Sequence, residues 1–217
     1  MKARSAALLL TLAMTAAACG SKPPDYSSVW STPATTSSSA TAAPASTDAP
    51  QPIVEFLYGH QVVGEQVPLD RLTGITVTLV APPGWIKPAK TNFSPGTEVI
   101  AKAGTDSMAT VVVLKLSGNF DVGEALGHAN VDAEKSKNFT KLNASTADFD
   151  GFPSSMIEGS YDTDSKRLHT YRRVVIPVTP DFQRYLVLFS VTTAADQTVT
   201  EAGDVEAIIK SFSVKLK

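Results

Sequence analysis

Two strand-length segments are apolar on both faces, and they dictate what the rest of the chain must provide. In Met108–Leu116, Val111 and Val113 alternate with Val112, Leu114 and Leu116. In the 182–191 stretch, Tyr185, Val187, Phe189 and Val191 alternate with Phe182, Leu186 and Leu188. A strand of this kind belongs inside a sheet that is covered on both sides. The remaining elements must therefore supply two covering layers. An apolar face left partly uncovered would be a ligand groove or a partner surface, whereas complete cover would make it ordinary core.

The elements available for cover are few. Ile53, Val54, Phe56 and Leu57 predict one face of a short helix ending near Gly59. Ile75, Val77 and Leu79 alternate with threonines as in a half-buried strand, which Pro82-Pro83-Gly84 closes just before Trp85. Residues 98–103 and 108–116 predict a hairpin about Gly104-Thr105-Asp106. Asp121 to Glu124 is a capping box, and Val122, Leu126, Ala129 and Ala133 predict one helix running to about Asn138. Strands are expected at 154–161, 167–178 and 183–193. Thr198 to Glu201 has the form of a second capping box, and Val205, Ile208, Ile209 and Phe212 carry the spacing of an amphipathic helix. This order predicts an α+β fold, a mostly antiparallel sheet flanked by two main helices. A Gly-rich phosphate loop and strict β-α-β alternation are both missing, which argues against a doubly wound sheet.

The region before residue 53 reads differently. Met1-Lys2-Ala3-Arg4 is basic, and Ala6 to Ala18 is apolar apart from Thr11 and Thr15. A membrane-spanning helix needs about 20 apolar residues. The run is shorter, and it ends in small residues like a secretory signal, so 1–18 is read as a signal peptide. Ala16-Ala17-Ala18-Cys19 resembles the lipobox of bacterial lipoproteins, with Ala16 where Leu is usual. Cys19, the single cysteine, is the expected lipidation site. Several acyl chains hold a protein stably on a bilayer where one does so marginally. Residues 19–52 then form a linker: between Ser21 and Pro52, 25 of 32 residues are Ser, Thr, Pro or Ala. Such a stretch cannot offset its ordering entropy and is expected to be a disordered stalk. A flexible chain of that length spans roughly 30 Å. Residues 53–217 are read as one globular domain.

The layout resembles the Lpp-LpqN family of mycobacterial lipoproteins. The likeness lies in the lipobox at Cys19, the stalk, Ile53-Val54-Glu55-Phe56-Leu57, and Thr76-Val77-Thr78-Leu79-Val80 running into Ala81-Pro82-Pro83-Gly84-Trp85. It continues in Val174-Val175-Ile176-Pro177 and Leu186-Val187-Leu188-Phe189. The resemblance implies a PsbP-like fold and a non-enzymatic cell-envelope role in lipid handling, beside RND-type lipid exporters. It also implies anchoring to the cell membrane on the extracytoplasmic side, with some shedding or secretion expected.

Searches for chemistry return little. A Gly-x-Ser-x-Gly elbow and a His-Glu-x-x-His pair are both missing from the sequence. Asp162-Thr163-Asp164-Ser165-Lys166 begins like a calcium loop, but it lacks the central glycine and has Arg173 where the bidentate Glu belongs. His60, His128 and His169 fall on three different expected elements, and Asp148 and Asp150 are explained by turn chemistry. No metal and no cofactor are expected. With 19 basic against 21 acidic residues, nucleic acid is not an expected partner. Lys166, Arg167, Arg172 and Arg173 are a local basic cluster whose default is a solvated strand end; an anionic headgroup or a sugar is the alternative.

The candidate contacts for an apolar ligand are Trp85, Tyr185 and Phe189, with Trp85 alternatively anchoring its loop in the core. Two functions are thereby expected. One is binding of an apolar or amphipathic envelope molecule, a lipid or glycolipid. The other is a protein-interaction module that docks an RND-type exporter or a secreted or host partner.

Overall fold

A computed structural model describes residues 50–217. The expected signal peptide, Cys19 and the linker up to residue 49 lie outside the described residues. The fold begins slightly before Ile53: Pro52 O accepts from Phe56 N at 2.9 Å, and Gln51 O accepts from His128 Nδ1 at 2.9 Å.

The main sheet has eight strands, and every pairing is antiparallel. In chain order they are β1 (Val63–Gln66), β3 (Trp85–Ile86), β4 (Glu98–Lys102), β5 (Met108–Ser117), β6 (Thr140–Ser145), β7 (Ser154–Asp162), β8 (Arg167–Val175) and β9 (Arg184–Ala194). Their spatial order is β3-β4-β5-β9-β8-β7-β6, with β1 beside the second half of β5. The two doubly apolar strands are direct neighbours, from Met108 opposite Thr192 to Leu116 opposite Arg184. This is the antiparallel α+β sheet expected.

Side chains alternate between faces along each strand, so each face has its own core. On the first, Val111, Val113, Tyr185, Val187, Phe189 and Val191 are buried. They pack under the helix α4 (Ala202–Ser211) through Ile208, Ile209 and Phe212, and under a two-stranded sheet. That small sheet pairs β2 (Ile75–Thr78) with β10 (Ser213–Leu216). On the second face, Leu116, Leu186, Val174 and Ile176 pack under α1 (Ile53–Gly59) and α2 (Val122–Gly127). Phe189 and Phe212 stack with ring centroids 4.2 Å apart, and Phe149 stacks on Phe212 at 5.3 Å.

Several sequence expectations need correction. Val54 is 47% exposed, so the buried face of α1 is Ile53, Phe56 and Leu57 alone. The single helix expected from 121 to 138 is two short ones, α2 and α3 (Val131–Glu134). Gly127 weakens the helix, and His128 and Ala129 donate to carbonyls three residues back, a tightening that ends it. Asp121 does cap α2, its Oδ1 accepting from Glu124 N at 2.7 Å. The second capping box is not formed: Glu201 sits at the N-cap without a capping bond, 2% exposed, and its carboxylate accepts from Ser107 Oγ instead.

Phe182 is also corrected. It is not in the strand but in the turn before β9, 86% exposed and at φ 62°. Thr179 holds that turn, its N donating to Gln183 O at 2.9 Å and its O accepting from Phe182 N at 2.9 Å. Left-handed backbone is unfavourable for an aromatic residue, and an exposed ring loses little burial when removed. Phe182→Gly is therefore expected to stabilise the domain by about 1 kcal/mol. Urea unfolding of the two proteins measures this; an equal loss of stability would show that the ring packs.

Candidate functional site

The first face of the sheet is not covered to its edge. Glu158 on β7, His169 on β8 and Thr193 on β9 lie on that face, with His169 directly opposite Thr193 across the strand pair. α4 begins above them with Ala202 and Val205, and Thr198 precedes it. Leu142, at the irregularity of β6 between Lys141 and Asn143, closes the edge. Together these residues enclose a slot of about 200 Å³ with apolar walls and a polar floor.

The floor is built from two buried groups, Glu158 and Thr193, and the half-buried His169. His169 Nε2 lies 3.0 Å from Glu158 Oε1. An ionised carboxylate only accepts, so this nitrogen carries the proton. Thr193 is 1% exposed, and among the described residues its Oγ1 has no hydrogen-bond partner. A buried hydroxyl without a partner is unfavourable by about 1–3 kcal/mol, so Thr193 carries an unmet polar demand beneath the slot. His169 is engaged with Glu158 and does not touch the Thr193 hydroxyl, so no activated nucleophile results.

The sequence-expected ligand residues lie elsewhere. Trp85 is 5% exposed, and Tyr185 and Phe189 are 2% exposed, all within the core beneath α4. Phe189 stacks on Phe212, and Tyr171 meets it edge-on at 5.9 Å. Tyr185 lies with its hydroxyl 3.5 Å from Thr73 Oγ1 and borders a shallow depression beside Pro68 and Arg71. Trp85 anchors its loop. Gly84, at φ 84°, permits the turn in which Trp85 N donates to Pro82 O at 3.0 Å. The indole Nε1 then donates to Asp204 Oδ2 at 3.2 Å.

The basic cluster is divided between the faces. Lys166 pairs with Asp106, and Arg167 with Asp162 at 2.7 Å. Arg173 lies 4.6 Å over the Phe149 ring and donates to Tyr171 Oη and Ser154 Oγ. Asp162, first residue of the calcium-like stretch, is thus occupied by Arg167 and by Asn138. Asp150, at φ 52°, accepts from Val214 N at 2.9 Å and docks β10. Two histidines that the sequence kept apart meet: His60 and His128 flank Phe56, with ring centroids 4.1 and 4.3 Å away. Among the described residues, no group of three His, Cys, Asp or Glu is placed to hold a metal. No described helix is long and apolar enough to cross a membrane.

Lys102 joins α4 to β4, its Nζ 2.9 Å from Asp204 and 3.6 Å from Glu201. The hydrogen bond from Lys102 holds the Asp204 carboxyl below its ordinary value; burial opposes it and Trp85 adds to it. The same bond raises Lys102. A carboxyl lowered on folding stabilises above its unfolded pKa and loses that contribution as pH falls through the folded value. Asp204→Asn is expected to flatten the fall of Tm below about pH 4, and thermal melts across that range measure it. An unchanged acid limb would show the pair to be inert.

The sequence matches the family model for the probable lipoprotein LpqN over residues 49–215. The chain is 47% identical to the putative lipoprotein LpqT of Mycobacterium tuberculosis over 214 residues, covering 98% of this chain and 93% of that one. It is 40% identical to LpqT of Mycobacterium leprae over 215 residues, covering 98% and 96%. The crystal structure of LpqN, described as involved in cell envelope biogenesis of Mycobacterium tuberculosis, aligns with a TM-score of 0.66. Its sequence identity is 17%, over 77% of this chain and 99% of that one, so it speaks to the fold alone. With a matched model across the domain and close relatives along nearly its whole length, this chain belongs to the Lpp-LpqN family of lipoproteins.

Proposed function

We propose that this lipoprotein is a non-enzymatic binding module of the cell envelope, held on the extracytoplasmic side of the membrane through lipid on Cys19. In this reading it takes the apolar end of an amphipathic envelope lipid or glycolipid into the slot between α4 and the sheet. The observation that carries the reading is the slot itself, in which apolar walls from Leu142, Ala202 and Val205 meet a polar floor of Glu158, His169 and Thr193. Ligand pockets combine apolar walls with a few placed polar groups, and this slot has that composition. Its volume of about 200 Å³ limits what enters. Pockets for whole drug-sized ligands run about 300–1,000 Å³, so one acyl segment or one ring fits and the rest of the ligand stays outside. A larger depression of about 640 Å³ lies around Gly104–Ser107 and Ala194–Gln197, but it is open and crossed by the Lys166–Asp106 pair. A tether keeps the local concentration high, so weak binding suffices.

Native mass spectrometry of the protein extracted from its host envelope, together with titration by a fluorescent fatty-acid probe, tests the reading. A co-purifying lipid and saturable probe binding are expected. Leu142→Arg puts a charge at the exposed mouth, and Val205→Phe fills the slot from α4; each is expected to weaken probe binding at least tenfold with the fold intact. Thr193→Val removes the orphan hydroxyl and is expected to raise Tm in the ligand-free protein. Empty protein from the host, together with probe binding unchanged in both slot variants, would overturn the proposal. In-cell crosslinking that captures one transporter, with no bound lipid, would move the function to exporter docking.

A further inference from the structure

The second face of the sheet carries a different feature. Three of the four basic residues around β8 have partners: Lys166 with Asp106, Arg167 with Asp162, and Arg173 with Tyr171, Ser154 and the Phe149 ring. Arg172 is paired in the sheet through its backbone, but its guanidinium has no ion pair and no hydrogen bond among the described residues. It is half-buried, and it lies in a basin of about 220 Å³ with Ser136, Tyr161, Thr170, Ser190 and Thr192. Strand pairing places these groups side by side. Arg172 is opposite Ser190 and Thr170 opposite Thr192, so four side chains of β8 and β9 face the same way. Ala133 of α3 and Ser136 beyond it form the wall, and Lys135 and Lys137 flank Ser136 in the chain.

An arginine withdrawn from water without an anion is unfavourable, and its planar fork matches the two oxygens of a phosphate, sulfate or carboxylate. The surrounding hydroxyls add donors and acceptors suited to a polyol. The volume equals about seven waters, room for one oxyanion and a small hydroxylated group. From this we infer that the basin around Arg172 binds a phosphate-type oxyanion carried on a hydroxylated headgroup. The site is distinct from the α4 slot. Alternate residues of β8 point to opposite faces, so His169 lines the slot while Thr170 and Arg172 line the basin, with the sheet between them.

The test uses the full mature chain in nonionic detergent, titrated calorimetrically with inorganic phosphate and glycerol 3-phosphate. Flotation of the Cys19→Ser chain, which has no acyl anchor of its own, with phosphatidylcholine vesicles, with and without phosphatidylinositol, accompanies it. Saturable binding of glycerol 3-phosphate is expected, weakening as salt is added. Arg172→Gln is expected to weaken it about tenfold to a hundredfold. Arg172→Lys, which keeps the charge but not the fork, should fall between, and Lys166→Gln should bind as the parent does. Because Arg172 has no partner to lose, Arg172→Gln should melt within a few degrees of the parent. Arg172-dependent flotation only with phosphatidylinositol would place the headgroup on a lipid; binding in solution without flotation would assign a soluble phosphate. No binding of either phosphate, or equal binding by Arg172→Gln, overturns the inference and leaves the slot proposal untouched.

Discussion

Everything in this fold depends on the pairing of β5 with β9. Each strand presents apolar side chains to both faces, and a fully buried side chain of this size contributes about 1.5–3 kcal/mol. Neither strand can face water on one side without losing much of that. The covers come from opposite ends of the domain. α1, near the start, lies on Leu116 and Leu186; α4 and β10, at the end, lie on Val187 and Phe189. The chain termini of the domain are thereby tied to its centre, and neither cover forms without the sheet.

Cover is unequal, and the unequal parts carry the candidate sites. On the α4 face, every residue of β9 from Tyr185 to Thr193 that points inward is buried. The cover there ends at the start of α4, and the slot lies at that margin. On the opposite face, α1 and α2 reach only the Leu116–Leu186 end. Beyond them the sheet changes to Thr110, Ser190, Thr192 and Arg172, with Thr110 and Ser190 hydrogen-bonded at 2.9 Å. An apolar face left open there would be a liability; a hydroxyl face is not. One sheet thus offers an apolar slot and a polar basin on opposite sides, under a family assignment to envelope lipoproteins.

Much of the architecture was legible because burial leaves a pattern in the chain. The 98–103 and 108–116 hairpin, the three long strands and the final helix were all marked by periodicity, and they appear within a few residues of their expected limits. Elements whose existence depends on a partner were not legible. Thr140–Ser145 buries none of its side chains, Leu142 included, and is held as a strand by its pairing with β7. Ser213–Leu216 is too short to announce itself, and pairs with residues 75–78 rather than with the main sheet. Strand alternation alone sends Arg172 and Arg173 of the basic run at 166–173 to opposite faces; what the chain does not show is that three members of that run find partners on other elements. The meeting of His60 and His128 across Phe56 joins residues 68 positions apart, and nothing local encodes it.

By itself the sequence determined the class of fold, because alternation and double-sided apolarity fix which segments must be interior strands. Its order of motifs also pointed to the lipoprotein family. The tertiary structure alone decided which groups stay unsatisfied. Thr193 and Arg172 look in the chain like ordinary strand residues beside many others of their type. What sets them apart is that, among the described residues, one hydroxyl and one guanidinium have no hydrogen-bond partner. A missing neighbour is a property of packing between strands and helices distant in the chain, so local pattern cannot express it.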